Sequence, residues 1–317
     1  MDCNGVKGIR IENDEAVICF GDCIAGISFV LKDIVRVRVC KGSTFTSEET
    51  FVVEELPALD KLILKNTPQG AVISNGSISA IVSFNPFSLK IADSSGKTFI
   101  TTPKPGTFRI DGDTTVFRFD LREGEKIYGL GQDPMGNLNQ RGYERRMWQD
   151  ISAHRRSGNI GIPFFTSSCG YGVLLNSSWP SRFAIGEAKP GEPAYEVVKA
   201  FEGWTPYPWP WGESSGETDA DKLAILLDKG IMDLFIICRD SVDSIQRAYL
   251  ELTGFPPMPP KWALGFIQCK NRYRSQDELL SIAREYRARN IPCDVLVIDW
   301  LWFKEFGDLE WFRRDWP

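Results

Sequence analysis

The sequence predicts a multi-domain β plus α/β protein: an antiparallel β-sandwich followed by the first two strands of a parallel α/β unit. Three observations predict this. From Met1 to about Arg239, short runs alternate apolar and polar residues with a period of two, and Gly, Pro, Asn and Asp break them. After Asp240 the apolar residues recur at helical spacing instead. Beyond Pro260 two apolar runs flank a helical pattern, and strands buried on both faces and joined by a helix make a parallel sheet.

The elements follow in order. Ile34 to Val39 and Val116 to Leu121 alternate cleanly, which gives each strand one apolar and one polar face. Further strands are expected at Ala16 to Phe20, Ala80 to Phe84, Gly170 to Asn176, Ala194 to Phe201 and Leu234 to Cys238. Gly203-Trp-Thr-Pro-Tyr-Pro-Trp-Pro-Trp-Gly212 carries prolines that forbid a regular ladder, so it reads as a loop, either a sugar-stacking rim or a lid over the sandwich core. Val242, Ile245, Ala248, Tyr249 and Leu252 share one helical face, and Gly254 ends that helix before Pro256. Trp262 to Ile267 reads as an apolar strand. Ser275 and Glu278 form a capping box for a helix that buries Leu279, Ile282, Ala283 and Tyr286. Val295 to Ile298 is the second strand. The domain division is therefore 1–240 for the sandwich, 241–257 for a helix and linker, and 258–317 for the α/β start.

Composition narrows the partners. The 317 residues carry 42 acidic and 37 basic side chains, a formal charge of −5 with no basic cluster, so neither a nucleic-acid backbone nor an anionic membrane is expected as a partner. No run reaches the roughly 18 apolar residues of a spanning helix, and the first residues lack a signal-peptide pattern, so the chain is expected to be cytoplasmic. An aromatic share of 12% suits a cleft whose flat faces stack on sugar rings as well as an ordinary core.

The eight cysteines sit mostly in apolar runs and are expected to be reduced; their spacing offers no zinc pattern, so no metal and no cofactor is expected. His154 is the single histidine, read as a polar loop residue or a substrate contact. Without a Gly-x-Ser-x-Gly elbow it has no triad to join, which leaves carboxylates to carry any chemistry. Gly129-Leu-Gly131-Gln-Asp-Pro134 starts like a dinucleotide loop but lacks the third glycine, and reads as a turn. Asn75-Gly-Ser77 and Asn176-Ser-Ser178 fit a glycosylation acceptor, which matters only in a secreted chain.

Five stretches resemble glycoside hydrolase family 31, the α-glucosidases and α-xylosidases. They are Ile127-Tyr-Gly-Leu-Gly131 through Leu138-Asn-Gln-Arg-Gly142, Pro163-Phe-Phe165 with Gly170 to Asn176, Tyr249-x-x-Leu252-Thr-Gly254, Pro259 to Phe266, and Ile291-Pro-x-Asp294 running into Ile298-Asp299-Trp300. In order, they cover roughly Lys126 to Pro317, while the first 125 residues resemble the family's sandwich only in pattern.

The resemblance implies a mutarotase-like sandwich followed by a (β/α)8 TIM barrel, and a retaining mechanism with two aspartates across the scissile bond. At about 31 residues per barrel unit, Lys261 to Pro317 holds fewer than two units. The resemblance thus implies that nucleophile and acid/base lie beyond residue 317, that this truncated chain contains neither catalytic residue, and that alone it is inactive.

The residues expected to bind substrate are Asp299, Trp300 and Asp150. Asp299 follows an apolar strand at its C-terminal end, where such barrels place their sites, while Asp294 lies at the opposite, structural end. The family implies that Asp299 accepts hydrogen bonds from sugar hydroxyls and that Trp300 lines the pocket; a helix N-cap is the alternative for Asp299. Asp150 resembles a carboxylate that a sandwich loop supplies to the sugar, with an ordinary loop acid as the alternative. Gln132 stands where many members carry Glu, and Trp302 and Phe303 either edge the pocket or cap the barrel core. The expected partner is an oligosaccharide or small α-glycoside, and homo-oligomerisation stays open. A non-catalytic carbohydrate-binding β-sandwich is the alternative function, and a mutarotase-like epimerase is disfavoured by the single histidine.

Overall fold

The computed structural model describes residues 5–46, 50–53, 61–132, 138–147, 160–186, 219–300 and 302–317. They fall into two units, Met1–Gly254 and Phe255–Pro317. Asp150, His154, the strand expected at Ala194 to Phe201 and the proline- and tryptophan-rich stretch from Gly203 to Gly212 lie outside the described residues.

The first unit is built from strands Gly8–Glu12 (β1), Glu15–Cys19 (β2), Cys23–Val30 (β3), Ile34–Lys41 (β4), Ile63–Thr67 (β5), Gly70–Ser74 (β6), Ile78–Phe84 (β7), Phe87–Asp93 (β8) and Thr98–Thr101 (β9). It continues with Phe108–Asp111 (β10), Thr114–Asp120 (β11), Ile127–Gly129 (β12), Tyr143–Met147 (β13), Phe164–Ser167 (β14), Tyr171–Leu175 (β15), Ser181–Ile185 (β16), Lys222–Leu227 (β17) and Met232–Cys238 (β18), and closes with helix Val242–Thr253 (α1). These strands form one eight-stranded sheet, β1-β2-β3-β4-β18-β15-β14-β12, and two five-stranded sheets, β10-β11-β17-β16-β13 and β5-β6-β7-β8-β9. All pairings within them are antiparallel.

The alternation read in the sequence decides which face goes where. In β4, Val35, Val37 and Val39 point into the main core, opposite Ile236, Leu234 and Met232 of β18, while Arg36 and Arg38 face outward. Across the core they meet Phe117, Phe119, Phe183 and Ile225 from one five-stranded sheet and Ala80, Leu89 and Ile91 from the other. The outward arginines are paired. Arg36 holds Asp233 with two bonds of 2.8 and 2.7 Å, and Arg38 holds Glu15 in the same forked manner. Burial works against the Arg36 charge, yet the bonds to Asp233 prevail and keep its pKa above the ordinary guanidinium value.

The outer face of the eight-stranded sheet is apolar where α1 covers it. Ile245, Ala248 and Leu252 bury against Val30, Ile34, Leu174, Phe235 and Ile237, and Tyr249 stacks on Phe164 at 4.2 Å between ring centroids. Burying Ile245 and Leu252 contributes roughly 2–3 kcal/mol each. Val242, expected on the same face, is 56% exposed at the helix start.

The second unit contains a 3-10 turn at Lys261–Leu264, strand Ile267–Cys269 (β19), helix Gln276–Ala288 (α2) and strand Val295–Val297 (β20). β19 and β20 pair in parallel, Ile267 with Val295 through Cys269 with Val297. The strand expected from Trp262 to Ile267 is corrected: after Pro259-Pro260 the chain makes a tight turn, with Ala263 N–H on the Pro260 carbonyl and Gly265 N–H on that of Trp262, and extends only from Ile267. Gly265 makes room for the Asp294 side chain, which a Cβ there would force to move. The capping box is half made. Ser275 Oγ accepts from Glu278 N–H, but the Glu278 carboxylate turns to Arg274 N–H and Lys270 Nζ, both at 2.7 Å. Those bonds, led by the one to Lys270, hold the Glu278 carboxyl below its ordinary value.

The cysteine expectation needs one correction: Cys23 is disulfide-bonded, while Cys19, Cys40, Cys169, Cys238, Cys269 and Cys293 keep their thiols. Spacing along the chain could not exclude this, since a bridge needs only Cα atoms within about 7 Å in space. No helix among the described residues is long and apolar enough to cross a membrane.

Candidate functional site

Because β19 and β20 run in parallel, the residues following each emerge at the same end of their sheet, and this end carries Asp299 and Trp300. Asp299 is half-buried and adopts a left-handed backbone conformation with φ of 62°. Aspartate is one of the few side chains that enters this region with modest strain. Its Oδ1 accepts from the Trp300 backbone N–H at 2.8 Å, and its Oδ2 has the Cys269 thiol at 4.0 Å. No helix follows Asp299 among the described residues, so the helix N-cap alternative is not what the structure shows.

Trp300 is 45% exposed, and its indole is fixed edge-on by Nε1 donating to Asn271 Oδ1 at 2.6 Å. Asn271 follows β19 as Trp300 follows β20, so the two strand ends lock one aromatic plane beside one carboxylate. Behind them, Tyr286 OH donates to Gln268 Oε1 at 2.7 Å, Gln268 Nε2 reaches Tyr273 OH at 3.3 Å, and Tyr273 is buried. The arrangement can present an anionic acceptor and a flat apolar face to a polyhydroxylated ring. Trp302 and Phe303 join a half-exposed aromatic cluster with Trp311 and the buried Trp316, with ring centroids 4.9 to 6.1 Å apart in successive contacts. A cavity of about 490 Å³ opens on α2 and β20, but Arg284, Arg287, Cys293 and Asp294 line it, at the other end of β20 from Asp299.

Asn271 and Cys269 were not singled out from the sequence. The strand-end rule that finds Asp299 finds them too, once β19 is placed at Ile267 to Cys269.

In the first unit, the Leu138-to-Gly142 stretch does framework work. Asn139 Oδ1 accepts from Ile127 and Arg141 N–H, and the Arg141 guanidinium donates to the carbonyls of Arg122, Glu125 and Ala220 at 2.7 to 2.9 Å. Beneath it, the buried Glu125 carboxylate accepts from Tyr171 OH at 2.6 Å, from Ser167 Oγ and from Arg122 N–H at 2.8 Å. Burial first, and then the Glu125 charge, push the Tyr171 hydroxyl well above its ordinary pKa. Gln132 pairs with Ile160, its N–H on the Ile160 carbonyl at 2.9 Å.

Comparison with known proteins agrees with this architecture. Residues 25–183 match the Glycosyl hydrolase 31 N-terminal galactose mutarotase-like domain, and residues 256–317 match the Glycosyl hydrolases family 31 TIM-barrel domain. The chain therefore belongs to glycosyl hydrolase family 31, with a mutarotase-like sandwich leading into the beginning of a TIM barrel. It is 31% identical over 298 residues to an α-xylosidase of Saccharolobus solfataricus, covering 90% of this chain and 36% of that one. An α-glucosidase of Bacillus thermoamyloliquefaciens is 25% identical over 286 residues, 87% of this chain and 32% of its own. Among solved structures, a family 31 dextranase of Flavobacterium johnsoniae complexed with glucose superposes with a TM-score of 0.82 at 25% identity, over 100% of this chain and 36% of that chain. The chain spans about a third of the length of these relatives.

Proposed function

We propose that this chain forms part of a retaining α-glycosidase that hydrolyses α-glucosides or α-xylosides, and that it supplies substrate-binding groups while the two catalytic aspartates belong to barrel strands it does not contain. The observation that carries this is the pairing of Asp299 and Trp300 at the C-terminal end of β20, within the stretch that matches the family's barrel. Asp299 takes the role of accepting from sugar hydroxyls: a carboxylate accepting from two adjacent hydroxyls makes short, charge-assisted bonds that fix the ring. Trp300 supplies the stacking face, and Asp150 a further hydroxyl acceptor on the family resemblance alone. The relatives named α-xylosidase and α-glucosidase support the substrate class. Six cysteines among the described residues that keep their thiols support a cytoplasmic location, and the Cys23 disulfide weighs against it.

The test is to assay the chain, and a form extended through a complete barrel, on nitrophenyl α-xyloside and α-glucoside. The extended form is expected to hydrolyse at least one and the chain alone neither. An inactive extended form, together with micromolar maltose binding by the chain alone, would replace the enzyme by a carbohydrate-binding module.

A further inference from the structure

Arg145 heads the fully buried side chains of the first unit by size, at 1% exposure, although it carries a permanent charge. It sits in the middle of β13, the edge strand of one five-stranded sheet, and reaches across to the turn that follows β12, the edge strand of the eight-stranded sheet. Nη1 donates to Gln140 Oε1 at 3.1 Å, and Nη2 to the Gln132 carbonyl at 3.2 Å and the Leu130 carbonyl at 3.5 Å.

The backbone it grips is unusual. Gly129, Leu130 and Gly131 have φ of 111°, 64° and 85°, three successive positive values, and the middle residue is a buried leucine for which this region is strained. Gly131 is pressed against the Ile160 carbonyl so closely that a Cβ would collide with it, and Gly161 lies against Met147, whose Cα would be 3.2 Å from an added Cβ. Ile160 thus lies on the turn that Arg145 holds, and Gly161 beside it lies on the end of β13, the strand that carries Arg145.

We infer that Arg145 is a positioning residue, a latch that fixes the left-handed Gly129–Gly131 turn to β13 and thereby holds the Ile160–Ile162 segment packed on that turn.

Amide hydrogen exchange of the chain without any sugar tests it, comparing the parent with Arg145→Met and Arg145→Lys. In Arg145→Met, peptides covering Leu130 to Gln132 and Ile160 to Ile162 are expected to exchange about tenfold faster or more, while those of β3 and β4 keep their rates. Arg145→Lys, which keeps the charge and a single donor nitrogen, is expected to recover part of the protection at the same peptides. Should Arg145→Met fail to fold, the lysine variant gives the same local reading with a smaller factor. Unchanged exchange at Gln132 and Ile160, or faster exchange shared equally by β3 and β4, would overturn the latch. Because no sugar is present, that failure is distinct from inactivity of the extended enzyme, which would overturn only the proposed function.

Discussion

Removing the Glu125 carboxylate should cost the first unit several kcal/mol, because three donors from three segments converge on it. Tyr171 OH, Ser167 Oγ and the Arg122 N–H all donate to Glu125, which is 3% exposed, and no cation touches the carboxylate among the described residues. Glu125→Ala leaves the tyrosine hydroxyl buried without an acceptor, at about 1–3 kcal/mol, while the amide of the exposed Arg122 can turn to water. The Ser167 hydroxyl, which also accepts from Cys169 N–H, adds less, and with the packing of the removed side chain the total is roughly 2–4 kcal/mol. In a unit of this size each kcal/mol moves the thermal midpoint by about 2–4 °C, so a fall of roughly 10 °C is expected. Glu125→Gln is nearly isosteric: its carbonyl can take the Arg122 N–H while its amide donates to hydroxyls that turn round, at about 1–2 kcal/mol. The assay is thermal unfolding followed by near-ultraviolet circular dichroism, with the alanine, glutamine and parent proteins side by side. An alanine variant within about 2 °C of the parent would refute the reasoning, and so would a glutamine variant as unstable as the alanine one.

Three further outcomes follow from the same structure. Tyr171 has a folded-state pKa raised above its unfolded value, so between the two values the unfolded chain has released a proton that the folded chain retains; stability is full below about pH 10 and falls above it, by about 1.4 kcal/mol per pH unit for this one group. Tyr171→Phe should therefore flatten the fall in thermal midpoint between about pH 10 and 11, and identical slopes would contradict the assignment. Gly265→Ala should destabilise the second unit by roughly 1–3 kcal/mol through its clash with Asp294, read as a lower melting point of that unit's aromatic signal; an unshifted transition would show that the turn yields freely. Asn271→Ala should free the Trp300 indole and broaden its side-chain NMR resonance, whereas an unchanged Nε1–H shift would remove the bond to Asn271.

The sequence made the sandwich legible wherever a strand divides core from solvent. β4 could be read from Val35, Arg36, Val37, Arg38 and Val39 because the two faces meet different media, and the structure places them on those faces. β13 could not be read this way: Tyr143, Glu144, Arg145, Arg146 and Met147 show no alternation, since its inward position is filled by an arginine that donates to the Leu130 and Gln132 carbonyls of the turn after β12. Glu125 stayed hidden for a related reason. A carboxylate in a turn between two strands looks solvated until the fold brings Ser167 and Tyr171 onto it. At the barrel start, the apolar run from Trp262 to Ile267 suggested a strand, but hydrophobicity alone does not fix its register, and the close approach of Asp294 to Gly265 delays extension until Ile267. That delay is why Asp299 and Trp300 were found and Asn271 was not.

The most direct measurement is the steady-state kinetics of Asp299→Asn in a form extended through a complete barrel, on nitrophenyl α-xyloside and α-glucoside. Losing a charge-assisted bond to a sugar hydroxyl removes about 1.5–3 kcal/mol, so KM should rise and kcat fall together, lowering kcat/KM by roughly 10- to 200-fold. Kinetics indistinguishable from the parent would show that the carboxylate at the end of β20 does not touch the sugar.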